Sequence, residues 1–373
     1  MRFPKVLLLT AATLAASFFP SSLIAQPSPN VHVWVKNLNG PRGLKFGPDG
    51  KLYVAEAGTG GTTSTKGQCT QVIPQVGPYK GGNTSRISSI NSAGTRTTVA
   101  SGFPSTVDAF GDMSGVADLA FMDGTLYALE GGGGCSHGDS MPNGLYSVNV
   151  KTGSWKLVAN LSHFVQTHPV KYSNKPDFEP DGTFYSMTEF NNRLYAVEPN
   201  HGQIVSIGTD GSMGSVMDVS ASEGHIVPTA ITAHDGQLYL GNLNQFPIEP
   251  NYARILTLGY SECSQIAAPG LDDTGALHTL HVLSSKAGFT TVVGVTFGPD
   301  GLLYVLELSD AAGNPTPGAG KVVRVKADGS IEDVATGLVV PTAMTFGPDG
   351  TLYVSNFGAA PPGAGQIVRI DIP

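Results

Sequence analysis

Short apolar runs separated by turn residues recur along the chain from residue 43 onward, and one unit repeats closely enough to be aligned by eye. In residues 43–56, Leu44 and Phe46 precede Gly-Pro-Asp-Gly, and Leu52, Tyr53 and Val54 follow it. The same Phe-Gly-Pro-Asp-Gly-x-Leu-Tyr-Val string returns at 297–305 and 346–354, and looser copies occupy 119–130, 187–198 and 231–242. The result is six Leu-Tyr anchors, at Tyr53, Tyr127, Tyr195, Tyr239, Tyr304 and Tyr353. Each unit reads as a β-hairpin, because its Pro-Asp-Gly, Asp-Gly or Asn-Asn turn tolerates left-handed backbone angles and the flanking runs favour strands. A third strand is expected after each hairpin, at 86–90, 145–148, 203–207, 254–258, 322–325 and 367–370. Fourth strands at 97–102 and 333–337 lead into the next hairpin. Four antiparallel strands repeated around an axis make a propeller blade, so the pattern predicts an all-β, six-bladed β-propeller.

The last repeat lacks a fourth strand, whereas a spare strand-like segment at 31–38 precedes the first. That segment is predicted to join the last blade and close the ring, which removes the free edges that would pair between molecules and predicts a monomer. Residues 31–373 then form one domain, preceded by a short linker at 26–30. Residues 1–25 read as an export signal: Arg2 and Lys5 make a basic start, residues 6–19 a short apolar run, and Ser21, Ser22 and Ala25 small residues before a cut after Ala25. No cysteine stands at that junction and no later apolar stretch is long enough to span a bilayer, so the expectation is a secreted or periplasmic protein without a membrane anchor.

Composition adds three points. Gly at 48 and Pro at 26 suit many short strands joined by tight turns. Charged residues are only 13% and the net charge is -8 without like-charge runs, which argues against nucleic acid as a partner. The cysteines, Cys69, Cys135 and Cys263, are odd in number for an oxidising compartment. Cys69 and Cys135 fall in corresponding Gly-rich loops of adjacent repeats and are paired in the preferred arrangement; all three free is the alternative.

Loops between second and third strands share a face with the connections into each first strand, and the longest insertions are placed there in blades one, two, four and five and before blade three. Function is expected on that face. Three residues past each anchor tyrosine stands a polar side chain: Glu56, Glu130, Glu198, Asn242, Glu307 and Asn356. Two readings compete. The six could ring the channel mouth and bind a hard cation such as calcium, or each could cap the adjoining turn by accepting backbone N–H bonds. The hairpin register sets Arg42 roughly opposite Glu56. Asp118 stands where the other first strands carry Gly43, Ser186, Ala230, Gly294 and Ala343, so a carboxylate among small residues in the channel is a further ligand candidate. The pairs His163/His168 and His278/His281 lie in segments read as irregular or strand-like and form no metal signature, and His137 is read as packing within its loop.

With the repeats and insertions laid out, the chain resembles the ScyD/ScyE family, exported bacterial proteins named for a link to a cyanobacterial sunscreen pigment. The resemblance rests on the segment from Gly40 to Gly50, Val76-Gly-Pro-Tyr-Lys-Gly-Gly-Asn-Thr-Ser-Arg-Ile87, the segment from Asn191 to Gly202, and Val292-Val-Gly-Val-Thr-Phe-Gly-Pro-Asp-Gly301. It implies export and a propeller but supplies no catalytic constellation. Gluconolactonase-like propellers, which share the hairpin core, hold a divalent ion with Glu, Asn and Asp, and Glu56, Asn242 and Asn356 look similar to that set. The first expectation is therefore a binding or accessory protein taking a small molecule, glycan or protein on the loop-rich face. The alternative is a calcium-dependent enzyme acting on a lactone, an ester or an aromatic pigment precursor.

Overall fold

The computed structural model describes residues 25–260 and 279–372; the export signal, Cys263 and His278 fall outside them, apart from Ala25. Six antiparallel sheets follow one another along the chain, each with its strands in meander order. The first strands, Pro41–Phe46, Val116–Met122, Ser186–Phe190, Pro228–His234, Val292–Phe297 and Ala343–Phe346, pack on one another in a closed circuit around a central axis. This is the predicted six-bladed propeller. Val31–Leu38 pairs antiparallel with Gly365–Ile370, from Val31 opposite Ile370 to Leu38 opposite Gly365, and completes the sixth blade. Blade one carries a fifth strand, Met113–Ser114, on an extended fourth strand, Arg96–Val107.

The repeat exists because its residues answer one another. In the Pro-Asp-Gly hairpins the aspartate accepts the backbone N–H two residues on, as Asp49 does from Lys51, Asp300 from Leu302 and Asp349 from Thr351. Its second oxygen takes the anchor hydroxyl, Tyr304 to Asp300 at 2.8 Å and Tyr53 and Tyr353 to their aspartates at 3.3 Å. The tyrosine ring then meets edge-on a phenylalanine at or next to the end of the first strand of the next blade: Tyr53 with Phe121, Tyr239 with Phe297, Tyr304 with Phe346 and Tyr353 with Phe46, at 4.8–5.2 Å. Such pairs add about 1 kcal/mol each beyond simple burial. One sequence string thus fixes a turn, a strand register and a contact between blades.

Two details differ from the sequence expectation. In blade four the longest connection joins the third and fourth strands, Ala253–Tyr260 and Leu280–Phe289, and most of it lies outside the described residues. His163 belongs to a short α-helix, Leu161–Thr167, with His168 as its C-terminal cap; Asn160 Oδ1 caps the first turn by accepting the His163 N–H at 2.9 Å, a local bond that strand periodicity does not reveal.

Candidate functional site

The six polar residues past the anchor tyrosines are buried and bonded locally. Glu56 accepts Arg86 Nε at 3.0 Å, Arg86 Nη2 at 2.8 Å, Ser88 Oγ at 2.5 Å and the Asn39 N–H at 2.9 Å. Glu198 accepts the N–H groups of Thr183 and His201, Glu307 that of Thr290 and Asn356 that of Val339. Asn242 accepts from the Arg254 N–H and donates to the Ile226 carbonyl. Glu130 accepts from Gly132 at 2.7 Å, and its second oxygen has no partner. In five of the six the bonded groups include the connection leading into the same blade's first strand or the third strand beside it. None of the six lines the axial cavity, and among the described residues no group of three or more His, Cys, Asp or Glu side chains is placed to hold a metal. Arg42 is not the partner of Glu56. A register shift between Pro41 and Leu44 sets Pro41 opposite Glu56, Arg42 turns away to donate to the Met113 carbonyl, and Arg86 on the third strand takes the ion pair.

Asp118 does line the channel. It borders a cavity of about 130 Å³ toward the loop-bearing face and one of about 90 Å³ beyond it, with Gly43, Ser186 and Ala343 beside it in the first and Ala230 and Gly294 in the second. Its Oδ1 accepts the Leu119 N–H and its Oδ2 the Met187 N–H of the next blade, each at 2.8 Å. Burial pushes its pKa up to about 6, against the pull of these two bonds and of Lys45. A Cβ at position 43 would come within 2.0 Å of Asp118 Oδ1, so the glycine there makes room for the carboxylate. Above it Tyr185 reaches from blade three across the channel and donates to the Thr342 carbonyl of blade six at 2.9 Å. The chamber beneath is small, enough for a few waters.

The larger space lies on the loop-bearing face. A groove of about 500 Å³ is walled by the blade-one insertion (Cys69, Thr70), the blade-two insertion (Cys135) and the connection before blade three (from Val165 to Asp181). Cys69 and Cys135 are disulfide-bonded with Cα atoms 6.3 Å apart, which fastens two of these walls together. Val165, Pro169, Val170, Phe178 and Pro180 supply apolar surface, and Gln166, Asp181 and His201 the polar groups. Asp181 is buried and accepts the Ser136 N–H and hydroxyl and the Gln166 amide; the His201 ring stacks on Phe178 and bonds the Glu179 carbonyl. Behind the wall, Tyr79 donates to Glu179 Oε1 at 2.8 Å and stacks on His137. His137 does pack within its loop as expected, with Nδ1 on the Gly133 carbonyl at 2.6 Å. Tyr79, Glu179, Asp181 and His201 escaped the sequence reading; they sit outside the repeats, and Tyr79 and Glu179 are 100 residues apart. The one local cue was the Pro-rich acidic stretch at 176–181.

No protein-family model matches the chain, and no characterised protein matches it in sequence. Solved structures do match in shape. A putative oxidoreductase (glucose dehydrogenase) from Thermus thermophilus aligns over 91% of this chain and 99% of its own at 16% identity and TM-score 0.56. A gluconolactonase from Xanthomonas campestris aligns over 92% and 89% at 10% identity and TM-score 0.53. A protein of unknown function from Bacteroides thetaiotaomicron aligns over 92% and 76% at 11% identity and TM-score 0.53. At such identities the likeness is one of fold alone.

Proposed function

We propose that this chain is an exported, ScyD/ScyE-like propeller that binds a small molecule in the disulfide-stapled groove and acts as a binding or accessory protein. The groove carries the proposal: the three long insertions converge on one space of about 500 Å³, mostly apolar with a few buried polar groups, which is the size and character of small-molecule sites. The disulfide supports export, since such bonds persist in oxidising compartments. A thermal-melt screen with a fragment library tests it. Hits should raise the melting temperature of the wild type and of Asp118→Asn but not of Val170→Trp, in which the groove is filled; hits that survive filling would place the site elsewhere. The calcium-dependent enzyme rests on side chains most of whose oxygens are engaged by neighbouring backbone and side-chain donors; one oxygen each of Glu130 and Glu307 lacks a hydrogen-bond partner. Melting curves in calcium and in chelator decide it, because a rise in calcium would restore that alternative.

A further inference from the structure

Glu179 lies at the meeting point of three insertions. The residue is 7% exposed, and Oε2 has no hydrogen-bond partner. His137 Nε2 stands 3.6 Å from that oxygen. Nδ1 of the same ring faces the Gly133 carbonyl, which can only accept, so Nδ1 carries a hydrogen and Nε2 is the acceptor of the neutral ring, with the Thr183 hydroxyl at 3.5 Å as its other neighbour. The groups facing Glu179 are Tyr79 from blade one, His137 from blade two, Asp177 and Asp181 from its own segment, and Glu198 and His201 from blade three. No lysine or arginine is among them. A carboxylate here would be buried beside three others, whereas a carboxylic acid can direct its hydrogen at Nε2 and still accept from Tyr79.

We propose that Glu179 and His137 hold one proton between them and, with Tyr79, form a pH-gated clamp that keeps the three insertions closed. The inference rests on the groove as the functional site, because Phe178, Pro180 and Asp181 on either side of Glu179 line it. Burial acts in the matching directions, raising the Glu179 pKa well above 4.5 and lowering that of His137 below 6.5. The open loops, with ordinary side chains, bind two protons below about pH 4.5, one between about 4.5 and 6.5 and none above. The closed clamp binds one throughout. Closure is therefore most favourable between these values; it weakens as pH falls below 4.5, where the open form binds more protons, and as pH rises above 6.5, where it binds fewer. Each pH unit beyond the window weakens closure about tenfold, until Glu179 ionises in place.

Hydrogen-exchange protection, corrected for intrinsic rates, reads this opening directly in peptides covering residues 70–82, 131–143 and 174–184 of the full chain. Wild type should lose roughly tenfold or more in protection between pH 6 and pH 8, and Glu179→Gln, which carries no proton to lose, should hold its pH 6 value. Tyr79→Phe removes a bond that favours the ionised carboxylate, so the alkaline loss, starting at the same pH, should run on to higher pH before it levels off, and this upward movement of the levelling point carries the test if Glu179→Gln does not fold. Unchanged protection in wild type, equal loss in Glu179→Gln, or no upward movement in Tyr79→Phe overturns the clamp. The readout involves no ligand, so the ligand screen stands or falls separately.

Discussion

Glu56 and Glu130 occupy the same repeat position, and the structure predicts opposite responses to the same change. Glu56→Gln removes the charge from a carboxylate that holds both Nε and Nη2 of Arg86, and it turns an amide NH2 toward those donors. Breaking a buried pair from one side costs about 3–5 kcal/mol. Glu56 is fully buried, but Arg86 is 24% exposed and recovers some hydration, which sets the expectation at the lower end, about 3 kcal/mol. Glu130 accepts from the Gly132 N–H through one oxygen, and the other has no partner. Burial raises its pKa well above 4.5, so the folded state keeps this proton longer than the unfolded chain and loses stability as pH rises above that value. Glu130→Gln removes the ionisation and keeps an acceptor for Gly132. It should change stability by less than about 1 kcal/mol, with any change at neutral pH in the stabilising direction. Urea unfolding midpoints at pH 7, with the slope checked for constancy, measure both. Equal losses would refute the local-capping account, and so would a Glu56→Gln change within about 0.5 kcal/mol of zero.

Other consequences follow from single contacts. Leu38→Ala in the ring-closing strand should cost about 2–5 kcal/mol by urea unfolding, because Leu38 is fully buried, whereas Val33→Ala on the exposed side of that strand should stay within about 0.5 kcal/mol. Asp118, held near pKa 6 in the channel, binds its proton longer folded than unfolded, so wild type should lose stability as pH rises from about 4 to 6, and Asp118→Asn should remove that slope from a pH series of midpoints. Thiol titration of unfolded, unreduced protein should find one free cysteine, Cys263. Cys69→Ala with Cys135→Ala should lower stability by at most about 4 kcal/mol, the loop-closure value for a separation of 66 residues, with the groove segments losing exchange protection first.

The ring was legible because its information is local. The hairpin turn, the anchor hydroxyl and the preceding phenylalanine lie within eight residues of one another, and six copies average out the noise. Ring closure was legible from a spare strand before the first repeat and a missing fourth strand in the last. Asp118 stood out because five small residues shared its position, and its place in the channel follows from that register. The capping set was harder: whether Glu56 points at an axis or at a backbone amide depends on a register shift at Pro41 that turn chemistry does not encode. Glu179 and Tyr79 were out of reach, since they meet across 100 residues through insertions without periodicity, and only the packed chain brings them together.

The groove is the central claim, and difference hydrogen exchange with the hit that most raises the melting temperature tests it most directly. Protection should gather in peptides covering residues 65–71, 133–137 and 165–181, with the hairpin turns of the opposite face unchanged. Protection confined to the channel strands around Asp118, or to the hairpin turns, would contradict it.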